Sequence, residues 1–152
     1  MLLIAILSLL LVLIDQISKK LVINYLNKEI LIIKNIFCLT YTKNNGAAFS
    51  ILNGKRLLLI LMTILIIGVL IYYIVKNRIN NKMEILAFSL VIGGSLGNLI
   101  DRIVRGFVVD FISIKIFGYN FPVFNIADSL ICIGVFLLFI IGLRKEKSHD
   151  NR

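Results

Sequence analysis

The stretch LLLILMTILIIGVLIYYIV, residues 57–75, decides the architecture. It is 19 residues without a charge. As a helix it measures about 28 Å, enough to cross the hydrocarbon core of a bilayer. Three further runs read the same way. Residues 1–14 are apolar except for Ser8, and the run is expected to continue past Asp15 to about residue 22 as a retained helix. It lacks the basic start and the small-residue cleavage site of a secretory signal. Residues 85–100 carry no charge, and become a span if Glu84 and Asp101 sit at the two interfaces. Residues 123–143 form the fourth run, with Pro122 as a helix-start signal. The expected fold is an all-α membrane protein with four transmembrane helices, at about 2–22, 57–75, 84–101 and 123–143.

Composition agrees. Of the 152 residues, 59% are hydrophobic and only 16% charged, and the mean hydropathy is +0.98. A soluble chain this apolar could not cover its surface with polar groups. The net charge of +9 lies in the segments between the apolar runs, as expected of flanks that favour anionic lipid headgroups. No separate basic domain exists to carry nucleic-acid binding. The cysteines Cys38 and Cys132 and the single His149 form no ligand pattern, so neither a metal site nor a cofactor is expected. Cys132, within the fourth run, reads as a small apolar packing residue.

Four spans put both termini on one side. The short connection 76–82 and the tail, with Arg144, Lys145, Lys147 and Arg152, are basic and fit a cytoplasmic side. The first connection is also rich in lysine, so charge alone leaves orientation open. That connection, residues 23–55, is too long for a tight hairpin. Its part 29–42 is rich in Ile, Leu, Phe, Tyr and Thr and reads as β-structure. A second β-like piece spans 107–116. Both lie on one face of the membrane, and together can form a roof over the helices.

Polar groups inside apolar runs are costly in lipid, and are functional candidates for that reason. Asp15, Asn98, Asp101, Arg102, Asp110, Asn125 and Asp128 qualify. Gly94, Asn98, Asp101 and Arg102 share one face of the third span. Gly93 and Gly97 make a small-xxx-small pair for a close helix neighbour. Asn125, Asp128 and Cys132 are expected on one face at the start of the fourth span. Asp110, 18 residues before Asp128, returns through the β-like piece to the same depth. Two carboxylates at one partly dry site share a proton, one acting as base on a water and the other as acid on a carbonyl. The residues alone leave a second reading open, in which Asp110 and Asp128 form separate ion pairs with Arg102 and Arg105.

Five ordered motifs carry a resemblance: DQISK at 15–19, NNGAAFS at 44–50, GGSLGNLIDR at 93–102, VVDFI at 108–112 and FPVFNIADS at 121–129. Together they resemble signal peptidase II along nearly the whole chain. The resemblance implies a single membrane peptidase domain over 1–152, with four transmembrane helices, an extracytoplasmic β-cradle and a short extracytoplasmic helix. It implies Asp110 and Asp128 as catalytic, and Asp15, Lys19, Asn44, Gly94, Asn98, Arg102, Asn125 and Ala127 as substrate-binding or supporting. The implied substrates are diacylglyceryl-modified prolipoproteins, cleaved before the lipidated cysteine. The implied setting is a bacterial cell membrane, with both termini cytoplasmic and the chain monomeric, in contact with membrane lipids.

The residues suggest secondary roles. Asn44, Asn98 and Asn125 could hold the scissile backbone or the aspartates, or act as helix-to-helix glue. Asp15 with Lys19, at i and i+4, reads as a supporting ion pair. Arg102 could hold a substrate carbonyl or headgroup, or neutralise Asp101. Residues 46–48 could let backbone pass close to the peptide, or simply turn the chain. The competing class is a small four-helix proton-coupled exporter, which typically needs a carboxylate near the midplane at a repeat or subunit interface.

Overall fold

The computed structural model describes residues 1–47 and 51–150, with side chains through residue 145. In chain order the elements are α1 (Leu2–Tyr25), β1 (Ile30–Ile33), β2 (Phe37–Asn44), α2 (Arg56–Lys76), α3 (Lys82–Val104), β3 (Val108–Ile116), β4 (Tyr119–Asn120) and α4 (Ile126–Asp150). All four helices are long and apolar enough to cross a membrane. The expected all-α membrane fold with a small β-cradle is the fold observed.

α3 is the hub, packing against α1, α2 and α4. Of its most apolar 18 residues 67% are buried, against 11% for α2, which therefore turns most of its surface to lipid. Small residues make the hub possible. A Cβ on Gly94 would stand 2.4 Å from the Ala127 carbonyl oxygen of α4, and one on Gly93 2.9 Å from Leu11 Cβ of α1. The start of α3 is capped by Asn81, whose side chain accepts from Met83 N at 2.9 Å and Glu84 N at 3.3 Å. Ile4, Ile74, Phe88 and Ile92 seal this end of α1, α2 and α3.

At the other end of the bundle lies a four-stranded antiparallel sheet of order β1-β2-β3-β4. Strand periodicity gives β3 two working faces. Val109 and Phe111 pack on Val22 near the end of α1, while Val108 and Asp110 alternate with them. Asn44 pairs with Val108 and Thr42 with Asp110, so the Asn44 side chain shares a face with Asp110 one pair away.

Three boundaries differ from the expectation. α1 runs three residues further, to Tyr25. The fourth helix starts at Ile126 rather than residue 123, because Phe124 is engaged in a β-bridge with Ile112 and pulls the preceding chain into the sheet. Asn125 thus precedes the helix instead of sharing a face within it. Among the described residues no short extracytoplasmic helix is present. The strand β4 was not foreseen.

Candidate active site

The N-terminus of α4 organises the site. Helices begin with unsatisfied N–H groups and a positive dipole end, and here both are met by designed partners. Asn125 accepts from Asp128 N at 2.9 Å through Oδ1, and its own N–H donates to Asp128 Oδ2 at 3.2 Å. This is a reciprocal capping box with an aspartate in the glutamate's place. Ala127 N donates to Asp15 Oδ1 of α1 at 3.0 Å. Ala127 is fully buried, and its carbonyl lies so close to Gly94 that residue 94 has no room for a side chain.

The cap then becomes a bridge. Asn125 Nδ2 donates to Asp110 Oδ1 at 2.7 Å and to Asn98 Oδ1 at 3.2 Å. Asn44 Nδ2 donates to Asp110 Oδ2 at 2.9 Å. Asn98 Nδ2 donates to Asp128 Oδ1 at 2.8 Å. One residue thus touches both carboxylates, and every carboxylate oxygen of the pair accepts an amide N–H. Of the three roles open to these asparagines, holding the aspartates is the one the contacts describe.

Asp110 is buried, and burial raises its pKa from 3.8 to about 6. The nearby Asp128 charge pushes in the same direction, against the Asn44 and Asn125 hydrogen bonds. Asp128 is less enclosed, and it lines a cavity of about 620 Å³ together with Asn98, Arg102, Val91, Phe124 and Ile131. Apolar walls with a few converging polar groups suit an apolar ligand held at one polar point.

A second group lies behind the pair. Lys19, fully buried, reaches Asp15 Oδ2 at 2.9 Å, Asp101 Oδ2 at 3.0 Å and Asn98 Oδ1 at 2.9 Å. Its three donors meet three acceptors. Asp101 also pairs with Arg105 and accepts from Val109 N at 3.0 Å, which pins the start of β3. Gln16 donates to Gly97 O and Asp101 Oδ1, both at 3.0 Å, and accepts from Arg105 at 2.9 Å.

Several expectations need correction. Among the described residues neither Asp110 nor Asp128 forms an ion pair with Arg102 or Arg105. Arg105 serves Asp101 instead. Arg102 does not neutralise Asp101 either; it donates to Gly46 O at 3.0 Å from the cavity wall. Asp101, near the end of α3, is fully buried within the protein. Cys132 is exposed and lines the cavity rather than packing inside the bundle. Residues 48–50 of the NNGAAFS motif lie outside the described residues. Gln16 and Arg105 were not singled out as site residues. Their signals were a polar residue beside Asp15 in an apolar run, and an arginine at i+4 from Asp101.

The sequence model described as signal peptidase (SPase) II matches residues 7–144. A lipoprotein signal peptidase from Halalkalibacterium halodurans is 40% identical over 144 residues, covering 93% of this chain and 92% of that protein. Two solved structures of a bacterial membrane enzyme, at 2.3 and 1.9 Å resolution, superpose with TM-scores of 0.87 and 0.83. The first is 40% identical and covers 96% of this chain and 90% of its own; the second is 39% identical and covers 92% of each. With its capped α4, its amide-bridged carboxylates and likeness along nearly its whole length, the chain belongs to the signal peptidase II family.

Proposed function

We propose that this protein is an aspartyl endopeptidase that removes signal peptides from diacylglyceryl-modified prolipoproteins, cleaving before the lipidated cysteine. One observation carries the catalytic type: two carboxylates bridged by Asn125 and, among the described residues, hydrogen-bonded by amides rather than cations. Such a pair holds one proton more readily than two full charges. Asp128 faces the cavity and acts as the base, taking a proton from water as its oxygen attacks the scissile carbonyl carbon. Asp110, the more enclosed, keeps the shared proton and delivers it to the carbonyl oxygen. Asp128 then returns its proton to the departing nitrogen as the C–N bond breaks. One hydroxyl of the diol gives its proton back to Asp110, leaving a carboxyl product and a dyad that again holds one proton. Both oxygens of each aspartate stay oriented throughout by the asparagine amides.

The lipid-modified residue fits the apolar wall of the cavity, and Arg102 offers a cation at that wall for a substrate carbonyl or headgroup. The sheet and the pair stand at the end of the bundle opposite the basic α2–α3 turn, with Lys76, Arg78 and Lys82. That arrangement supports an extracytoplasmic site and cytoplasmic termini. The whole chain then works as one monomeric unit in the bacterial cell membrane. An exporter with a carboxylate near the midplane finds no support in carboxylates gathered at one end of the bundle.

The test is incubation of purified protein with a diacylated precursor. Freed signal peptide is expected from the wild type and none from Asp110→Asn or Asp128→Asn. The double variant should be scarcely worse than either single one, because the pair acts as a unit. Normal cleavage by either single variant would overturn the assignment of that residue.

A further inference from the structure

β3 and β4 are joined by a two-residue turn, Phe117–Gly118, with φ of 49° and 83°. That left-handed backbone is usually met by Asn or Gly, and for a bulky side chain it is an outlier. The β1–β2 turn of the same sheet meets a similar need with Asn35, φ 62°. Phe117 is also fully exposed at its tip, and Ile116, Tyr119 and Phe121 around it are exposed as well. A strained aromatic standing free in water has nothing to offset its cost. In lipid it does.

The position of the tip suits that setting. Lys115 N donates to Ile36 O at 2.7 Å, so the turn carrying Lys34 ends level with Lys115. Phe117 reaches two residues beyond, roughly 6–7 Å along the strand. The hairpin is tethered at its base to the ends of two spanning helices. β3 begins four residues after α3 ends, and Ile112 pairs with Phe124, two residues before α4. β1, at the opposite edge of the sheet, is Ile-Leu-Ile-Ile with every residue exposed, so it lacks the polar face that water asks of a strand.

From these features we infer that the β3–β4 tip is a membrane anchor. Phe117 enters the boundary between headgroups and acyl chains, while Lys34 and Lys115 remain at headgroup level and favour anionic lipid. Phe121, just after β4, lines the cavity. Anchoring the hairpin therefore fixes the depth of the cavity rim relative to the bilayer.

The chain contains no tryptophan, so Phe117→Trp in the full-length protein creates a single reporter. It is reconstituted into phosphatidylcholine–phosphatidylglycerol vesicles. Blue-shifted emission is expected, quenched more by lipids brominated high on the acyl chain than by those brominated near its methyl end. Aqueous iodide should quench it little. Emission typical of water, quenched by iodide and untouched by brominated lipid, would overturn the anchor. So would emission that becomes shielded only when a precursor is added, since the tip would then dock peptide rather than lipid. Phe117→Asn relieves the turn and should keep its thermal stability in detergent; a large loss would mean the ring packs on protein. Depth and stability are read here rather than cleavage, so failure of the anchor would leave the peptidase reading standing.

Discussion

Two pairs of carboxylates sit at the same end of this molecule and are satisfied in opposite ways. Asp15 and Asp101 are met by cations, Lys19 for both and Arg105 for Asp101, and their remaining lone pairs take backbone N–H groups of Ala127 and Val109. Among the described residues Asp110 and Asp128 are met only by amides, from Asn44, Asn98 and Asn125 and one backbone N–H. A carboxylate locked to a buried cation holds helices in register. Asp110, oriented by neutral amides, has its pKa raised by burial and by the nearby Asp128 charge. Asn98 joins the two groups, accepting from Lys19 and donating to Asp128. The ionic frame thereby fixes which way the Asn98 amide points.

The contrast can be broken first at Lys19. Lys19→Met would leave Asp15 unpaired and Asp101 with Arg105 alone, both without solvent. Stability should fall by about 3–5 kcal/mol, read as thermal unfolding in detergent. An unchanged melting curve would show that the frame is not structural.

Asn98→Leu strikes the joint between the groups. It removes a preorganised donor from Asp128, and cleavage is expected to fall by about 10²-fold. Its stability loss should be smaller than that of Lys19→Met. Normal cleavage by this variant would mean that Asp128 needs no orienting amide.

A weaker effect, in pH, sharpens the difference. Asp110 binds its proton more tightly in the folded protein than in the unfolded chain. Its contribution to stability is therefore full below about 3.8 and lost as the pH rises through about 6. The span is on the order of 2 kcal/mol once sharing of the proton with Asp128 is allowed for. Thermal stability of the wild type should thus decline between pH 4 and pH 7 relative to Asp110→Asn, as measured in parallel scans. Parallel curves for the two proteins would show that Asp110 titrates normally.

Much of this was legible in the chain itself. Uncharged runs of span length announced the helices, since lipid tolerates little else. The polar residues inside those runs then marked the site, since lipid punishes each one that lacks a partner. Gly93 and Gly97 marked close approach without saying to what. The partners themselves were not legible. Arg105 and Arg102 stand three residues apart and either could have met a nearby aspartate; Arg105 takes Asp101, four residues before it, and Arg102 turns to Gly46 O. The start of α4 was misplaced because Pro122 signals a helix locally, whereas Phe124 is claimed by a strand partner twelve residues upstream. β4 is two residues long and too short to show a period.

The most direct measurement compares Asp128→Asn with Asp101→Asn, recording cleavage of a diacylated precursor and thermal unfolding for each. In Asp128→Asn one of the two N–H groups that face the carboxylate would meet another donor, so stability should fall by no more than about 1–2 kcal/mol. Cleavage, by contrast, should drop by at least about 10³-fold. Asp101→Asn should do the reverse, unfolding early while its folded fraction still cleaves. Efficient cleavage by Asp128→Asn, or loss of cleavage in a stable Asp101→Asn, would contradict the division between an ionic frame and an amide-held catalytic pair.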